Sequence, residues 1–308
     1  YVNNYNGNLV FVHPDASYNS GINGFTLSHI YNSSSAGTDA GYYGSGWRLS
    51  LVQRLEAVTV AGNSRVKFVY TDGDGTEHYL VENEGKTVDE DGLGLTYSAI
   101  NEITDSGTTP LTAQLTTKDG SVMKFDAWGF LRRVTDTNGN TLYLHYAPGA
   151  TMDKNYLGGI GTSSGGSITL GYSNGQLSTI TDTAGRVTRL VTINGNLEHI
   201  WYPDGSGIHF AYSPEHRMSI VHYNYYRRYA YGYDAKGRVS SVSALGNENS
   251  EGGTLGFAYV VNQTEITDGE GRKTTYQFDN WGRVSCVYDG NQNIYSTSYT
   301  PTVTSGSG

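Results

Sequence analysis

The acidic residues that could bind a metal ion occur in two glycine-bearing turns. Asp72 and Asp74 alternate with glycines in the first turn, and Asp89 and Asp91 lie in a second turn that Gly92 ends. Calcium takes several carboxylate oxygens from a flexible loop, so both turns offer suitable donor atoms. Neither turn has the ligand spacing of an EF-hand loop. We therefore interpret the four aspartates as solvated turn residues, and we predict neither a metal nor a cofactor.

A second chemically distinctive feature is the concentration of aromatic residues. Residues 223–233 contain six tyrosines and two arginines, and a smaller aromatic cluster occupies residues 42–47. Tyrosine rings stack on sugar faces and hydrogen bond at their edges, and tyrosine and arginine are enriched at protein interfaces. If residues 223–233 form one strand, their odd-numbered side chains share one face. The candidate ligand-binding residues are Tyr42, Tyr43, Trp47, Tyr223, Tyr225, Tyr226, Arg227 and Tyr229. The alternative role for them is an aromatic ladder that stabilises a sheet.

No catalytic motif accompanies these residues. The sequence has no His-Glu-x-x-His pair and no phosphate-binding loop. The histidines show no tight metal-ligand spacing, so we interpret them as hydrogen-bonded strand residues. The acids are too numerous to single out the pair of carboxylates that a glycosidase needs. A carbohydrate-active enzyme is therefore kept as the third hypothesis for function.

Charge and composition narrow the classes of partner. The formal net charge is −9, with 20 basic and 29 acidic residues, and the basic residues are dispersed. Nucleic-acid binding requires a basic patch, as does docking to anionic lipid, so we predict neither partner. No long apolar run is present, so we predict no membrane insertion. Cys286 is the single cysteine, which excludes an intrachain disulfide.

Turn and strand residues dominate the chain. Glycine, asparagine, aspartate and serine recur at short intervals, and tyrosine, valine and threonine fill the stretches between them. No segment combines helical spacing of apolar residues with good helix formers, so we predict no long helix. We interpret Pro14 with Asp15 as a turn, 83–92 as an exposed loop and 148–166 as a surface insertion.

An imperfect sequence repeat of about 20 residues encodes the strands and turns that would position the aromatic residues. Each copy reads aromatic, Asp, two variable residues, Gly, Arg and Val, and the clearest copies span 125–131, 233–239 and 278–284. One copy is a hairpin too small to bury its own apolar face, so copies must stack. The glycine supplies the positive φ of a tight turn, and the aspartate carboxylate can cap that turn.

These motifs resemble the Rhs/YD-repeat family over about residues 115–299. Residues 6–10 and 44–49 are similar to the segment that precedes YD repeats in bacterial Rhs proteins. The resemblance implies spiralling sheets of β-hairpins, which form hollow shells in teneurins, in insecticidal toxin-complex C components and in bacterial polymorphic toxins. The bacterial shells hold a C-terminal toxin. This chain is too short to close a shell and lacks the Asp-Pro-rich motif of self-cleavage, so neither encapsulation nor autoproteolysis is assigned to it.

We therefore predict an all-β fold, in which stacked β-hairpins form a curved, spiralling antiparallel sheet and an incomplete shell. Residues 1–115 would form an N-terminal Rhs-associated segment, 116–299 the YD-repeat hairpin array and 300–308 a flexible tail. The serine and glycine residues of that tail are typical of a linker. We expect the chain to be a piece of a longer protein.

The function predicted from shape and resemblance is non-catalytic. We expect a binding or scaffold module of a large secreted or surface-attached bacterial Rhs-type protein. Its aromatic residues would recognise a glycan or a surface protein. The alternative is a purely structural segment of a shell that encloses a C-terminal toxin, and its partners would then be the rest of the parent protein or the toxin domain.

Overall fold

A computed structural model describes residues 1–19, 24–38, 41–104, 109–149, 154–224, 227–246, 251–280 and 282–299. These residues form β-strands joined by turns, and their one helical element is a short 3-10 turn at Ser33–Ser35. The prediction of an all-β fold made of antiparallel hairpins is confirmed. The chain divides into a larger unit, Phe11–Gly207, and a smaller unit, which combines Tyr1–Val10 with Ile208–Gly308.

No helix in the described ranges has the length and apolar character needed to span a membrane.

The larger unit contains two sheets. In the first, β1 (Val10–Asn19), β2 (Gly24–Asn32) and β3 (Trp47–Leu49) lie side by side in that order. The second is a hairpin ladder in which each strand pairs antiparallel with the next one along the chain. Its strands are β4 (Arg54–Ala57), β5 (Val66–Thr71), β6 (Glu77–Asn83), β7 (Lys86–Asp89), β8 (Thr96–Ile103), β9 (Pro110–Thr116), β10 (Val122–Asp126), β11 (Leu131–Thr135), β12 (Thr141–Ala147), β13 (Tyr156–Thr162), β14 (Ser167–Ser173), β15 (Gln176–Thr181), β16 (Val187–Ile193) and β17 (Asn196–Trp201).

The smaller unit is built on the same hairpin pattern. Each of its strands again pairs antiparallel with its sequence neighbour. The strands are β18 (Gly207–Tyr212), β19 (Met218–Asn224), β20 (Arg227–Tyr233), β21 (Val239–Leu245), β22 (Glu251–Val260), β23 (Gln263–Thr267), β24 (Lys273–Phe278), β25 (Val284–Asp289) and β26 (Gln292–Ser296).

The aspartate of each clear repeat caps its own turn. Between β20 and β21, Asp234 Oδ1 accepts hydrogen bonds from the backbone N–H groups of Lys236 and Arg238 at 2.9 and 3.0 Å. Asp234 Oδ2 accepts a further bond from Nε of Arg238 at 2.8 Å. Gly237 completes the turn with a φ of 79°, which only glycine adopts without strain. The same arginine-to-aspartate bond recurs at Asp182, Asp268 and Asp279. The predicted capping role is confirmed.

The aromatic and arginine positions of the repeat connect one strand to an earlier strand. The hydroxyl of Tyr233 donates to the carbonyl of Met218 at 2.8 Å, and that of Tyr259 donates to the carbonyl of Val239 at 2.7 Å. The Arg238 guanidinium lies 4.5 Å from the centre of the Tyr259 ring. Such a contact adds cation–π attraction to the ion pair with aspartate. Equivalent hydroxyl-to-carbonyl bonds are made by Tyr172 and Tyr299.

The core of the larger unit lies between β1–β3 and the hairpin ladder. Leu49 of the small sheet is fully buried, and so is Ile160 of the ladder. Main-chain bonding joins the two layers directly, because the N–H of Ser45 donates to the carbonyl of Gly195 at 2.7 Å. We call the described residues of this part of the chain, 11–19, 24–38 and 41–50, the covering segment, since they cover the apolar face of this ladder.

Three local predictions are wrong. β1 continues through Pro14, where we predicted a turn. Because β1 is the edge strand of its sheet, the missing N–H of Pro14 interrupts no pairing. The predicted insertion at 148–166 contains β13, and the predicted loop at 83–92 contains β7. Both strands are paired on each side, so neighbouring strands stabilise an extended backbone that the local sequence does not favour.

The predicted boundary at residue 115 lies inside the ladder of the larger unit. β9 contains this residue and pairs with β8 on one side and with β10 on the other. The domain bounds at 115 and 299 stay predictions. The predicted tail, 300–308, lies outside the described residues.

Candidate functional site

The tyrosine-rich run forms two strands rather than one. β19 ends at Asn224, and β20 begins at Arg227, its cross-strand partner. Tyr223 therefore meets Tyr229 across a hairpin, with ring centres 6.3 Å apart in an edge-to-face contact. The prediction that residues 223–233 present one face along one strand is wrong, because it assumed no turn within the run. Tyr225 and Tyr226 lie outside the described residues.

These tyrosines begin a continuous aromatic face on the sheet of the smaller unit. Residues directly opposite each other in antiparallel strands project to the same side of the sheet. Following these partners, together with residues two positions apart on the same strand, from Tyr229 to Tyr295 gives one mostly apolar face that also contains Thr264 and Thr274. We call it the aromatic face, and its members are Tyr229, Tyr231, Val242, Leu255, Phe257, Ile266, Tyr276, Val287 and Tyr295.

The aromatic face becomes more exposed along the ladder. Phe210 and Val221, which precede Tyr229 in the same row of partners, are fully buried. Tyr229, Leu255 and Tyr295 are 38%, 41% and 48% exposed. The other members of the face are half-buried. A contiguous apolar surface of this kind is typical of a site where another polypeptide or ligand packs.

Residues 3–8 cover one margin of this face. The Tyr5 ring packs edge-on against Phe278, with ring centres 5.2 Å apart. The Thr264 hydroxyl donates to the carbonyl of Asn4 at 2.5 Å, and the carbonyl of Gly7 accepts from a backbone N–H of β21 at 2.9 Å. The amino-terminal residues are therefore a short cover for β21–β24, and they leave Leu255 exposed.

The electrostatics of the aromatic face are those of a neutral surface. Burial raises the pKa of the Tyr231 phenol, and the neighbouring phenols of Tyr223 and Tyr229 raise it further. The Tyr231 phenol therefore stays protonated at neutral pH, so it can donate a hydrogen bond but adds no charge. Apolar and aromatic side chains of this kind are suited to packing against other apolar or aromatic groups.

The other predicted aromatic candidates lie in the larger unit and contribute to its core. Trp47 is 6% exposed. Burial raises the pKa of the Tyr43 phenol to about 12. The Tyr42 ring lies 5.3 Å from the ring of Tyr156, and its hydroxyl donates to the carbonyl of Lys154 at 2.5 Å. These three residues of the covering segment hold it on the ladder.

The predicted weak metal candidates are engaged within their own turns. Asp72 Oδ1 accepts three backbone N–H groups, and Oδ2 lies 3.2 Å from Nε2 of His78. Asp91 Oδ2 lies 2.8 Å from the other ring nitrogen of His78. Asp74 Oδ1 accepts from a backbone N–H in the first turn, and Asp89 accepts from two in the second. The carboxylates therefore act as turn caps and as partners of one histidine.

Sequence analysis missed a buried ionisable cluster in the larger unit. The carboxylate of Asp15 lies between the rings of His13 and His29, and all three side chains are buried. His13 and Asp15 are two residues apart in β1, which places both side chains on the same face of the strand. That spacing was the available signal, and the assumed turn at Pro14 obscured it.

Comparisons with known proteins give a family match over part of the chain. Residues 1–80 match a family model described as a domain of unknown function, DUF6531. No curated protein matches the chain.

Several solved structures are similar to the chain at low identity. A crystal structure of TcdB2-TccC3-TEV is 13% identical with a TM-score of 0.31, over 75% of this chain and 16% of that one. The Tc holotoxin pore of Photorhabdus luminescens is 12% identical with a TM-score of 0.33, over 88% of this chain and 18% of that one. The N-terminal domain of the effector SpvB from Salmonella typhimurium is 12% identical with a TM-score of 0.27, over 87% and 99%. The chain thus spans less than a fifth of the first of these structures.

Proposed function

We propose that the chain is a non-catalytic structural segment of a larger extracellular Rhs-type protein, and that its aromatic face packs against the toxin domain which such a protein encloses. The observation that carries this proposal is the incomplete cover of the aromatic face. An apolar face that is covered in one unit and partly exposed in the other implies a missing partner for the second.

The chemistry of the repeat supports a structural role. The motif residues bond to one another: aspartate to its own turn, arginine to that aspartate, and tyrosine to an earlier strand. Side chains engaged in this way maintain the register of hairpins and leave few groups for substrate chemistry. This arrangement favours the scaffold over the carbohydrate-active enzyme, which stays a hypothesis.

Recognition of a glycan is the second candidate function. The edge-to-face pair of Tyr223 and Tyr229 favours it, because both rings are partly exposed and lie on adjacent strands. Paired, partly exposed aromatic rings suit the apolar faces of sugars.

A dye-binding experiment tests the proposal. The chain alone should enhance the fluorescence of an apolar dye, and the double variant Leu255→Ser with Tyr295→Ser should lower this enhancement severalfold. Val261→Ser is the matched control, since Val261 is 91% exposed and is not part of the aromatic face. The parent protein with its toxin domain should bind little dye. Dye binding that is equal in the chain and the parent protein would count against the proposal.

A glycan array tests the alternative function of glycan recognition. Retention on a glycan array that disappears in both Tyr223→Ala and Tyr229→Ala, with unchanged circular dichroism, would support it. An array signal that survives both substitutions would contradict it.

A further inference from the structure

A hydrogen-bonded chain of side chains runs from the buried Asp15 to a tyrosine in the turn that follows β17. Asp15 Oδ1 lies 3.0 Å from Nδ1 of His13, and Nε2 of His13 lies 2.5 Å from the hydroxyl of Tyr202. Asp15 Oδ2 also lies 2.7 Å from Nδ1 of His29. The order carboxylate, imidazole, hydroxyl is that of a general-base relay to a nucleophile. Every member lies in the larger unit.

The protonation states follow from the partners. Burial raises the pKa of Asp15, but the neighbouring His29 and His13 lower it by more, so its pKa lies below the ordinary value. An ionised carboxylate only accepts hydrogen bonds, so Nδ1 of each histidine carries the proton. When the His13 imidazole is neutral, its Nε2 has a lone pair, and the Tyr202 hydroxyl donates to it. The imidazole is therefore oriented to accept the phenol proton.

Tyr202 lies at the wall of a cavity of about 650 Å³. Ile180 and Pro203 form apolar parts of that wall, and the ion pair of Asp182 with Arg186 forms a polar part. With Asp15 and Asp204 also at the cavity, carboxylates outnumber the single guanidinium, which disfavours a polyanionic ligand such as a phosphate ester. A neutral ligand with a small apolar group suits these surroundings.

We propose that Tyr202 is a nucleophile that accepts acyl groups from small, uncharged activated acyl donors, with His13 as its general base and Asp15 as a positioning residue. The Tyr202 hydroxyl oxygen forms a bond to the carbonyl carbon while its proton passes to Nε2 of His13. The bond between that carbon and the leaving group then breaks, and the leaving group takes the electron pair and the proton from His13. The product is an aryl ester on Tyr202 and the protonated leaving group.

This site is independent of the aromatic face. The cavity residues all belong to the larger unit, and dye binding to the smaller unit does not report on them. Failure of one proposal therefore leaves the other unaffected.

Acetylation by N-acetylimidazole, followed residue by residue with peptide mass spectrometry, tests the proposal. General-base assistance is worth about 10²-fold or more, so Tyr202 should react about 10²-fold faster than the exposed Tyr295. An unassisted phenol accelerates about tenfold per pH unit up to about pH 10. A histidine-assisted attack should instead level off above the range in which histidines titrate. Equal acetylation rates for Tyr202 and Tyr295 in the native chain, or parallel pH profiles for the two tyrosines, would overturn the proposal.

Two variants and one control assign the roles. His13→Gln keeps a hydrogen-bonding group but removes the base, and it should reduce the Tyr202 rate to that of Tyr295. Asp15→Asn should slow the reaction less and shift the pH profile, as expected of a positioning residue. His78→Gln is the matched control, because His78 also lies between two carboxylates but contacts neither Tyr202 nor Asp15 in any described hydrogen bond. An unchanged Tyr202 rate in His13→Gln, with Tyr295 reacting as in the native chain, would contradict the assigned base.

Discussion

In the larger unit the covering segment covers the apolar face of the hairpin ladder. In the smaller unit, by contrast, residues 3–8 cover only a margin of the aromatic face. The hairpins themselves are alike. Asp182 in the larger unit and Asp234 in the smaller unit cap their turns through the same bonds to the backbone and to arginine. Turn chemistry therefore does not explain the difference in burial between the two ladders.

The comparison shows that the register of the strands and the burial of the apolar face depend on different residues. The repeat sets the register of the strands, because its aspartate and arginine fix each turn and its tyrosine bonds to an earlier strand. Burial of the resulting apolar face depends on residues outside the repeat. In the larger unit Trp47 and Tyr31 supply that cover from the same chain, with ring centres 5.3 Å apart. In the smaller unit residues 3–8 supply only part of that cover.

The largest expected effect is the loss of a cover residue. Trp47 packs against Phe11, His29 and Tyr31, so Trp47→Ala should leave a cavity and cost about 3–5 kcal/mol of unfolding free energy. Tyr295→Ala on the aromatic face is the matched control and should cost about 1 kcal/mol or less, since that ring is partly in solvent. Urea denaturation followed by circular dichroism measures both. Similar losses for the two variants would mean that the faces do not differ in cover.

The second prediction compares two turn caps. Asp126 in the larger unit is 2% exposed and accepts from Nε of Arg132 at 2.5 Å. Asp268 in the smaller unit makes the same type of pair with Arg272, but both side chains are more exposed. Breaking a buried pair costs about 3–5 kcal/mol, whereas an exposed pair is screened by solvent and contributes much less. Asp126→Asn should therefore be much more destabilising than Asp268→Asn in urea denaturation, and the reverse order would contradict this account.

The third prediction concerns pH and the buried acid of the covering segment. Because the pKa of Asp15 is lowered in the folded chain, the unfolded chain binds a proton first, and stability falls as the pH drops below about 4. Asp15→Asn should make this acid limb shallower in a series of urea denaturations. An acid limb of unchanged slope would show that the covering segment is not held by this carboxylate.

His78 serves as a control for Asp15, because its pKa shifts in the opposite direction. Burial lowers its pKa, but hydrogen bonds to Asp91 and Asp72 raise it by more, so the net shift is upward. Its contribution to stability is complete at pH values below about 6.5 and is lost as the pH rises through the folded pKa. His78→Gln should flatten the profile near neutrality.

The sequence predicts the hairpins and their turns well, because those depend on local spacing. The aspartate, glycine and arginine of each copy interact within five consecutive residues, so their roles can be inferred without a fold. Strand β13 was missed because its glycines are poor strand formers, and its pairing with β12 and β14 supplies the extended backbone.

The covering segment and the candidate sites depend on long-range contacts. Tyr202 and His13 are separated by 189 positions, and no local pattern predicts that they meet. In the tyrosine-rich run, Tyr223 and Tyr229 make an aromatic contact between strands, and a ligand-binding role for the run stays a prediction. Its division into two strands required the pairing of β19 with β20, which the tyrosine pattern alone does not contain.

The smallest expected effect tests whether residues 3–8 are a genuine cover. Tyr5 contacts Phe278 edge-on and is itself partly exposed, so Tyr5→Ala should cost only about 1 kcal/mol. The same substitution should increase apolar-dye fluorescence, because it uncovers Phe278 at the margin of the aromatic face. Tyr79→Ala in the larger unit, which removes a ring of similar exposure, should leave dye binding unchanged. If Tyr5→Ala leaves dye binding at the native level, residues 3–8 contact β21–β24 without covering the aromatic face. The difference in cover between the two units would then be larger than the contact of Tyr5 with Phe278 indicates.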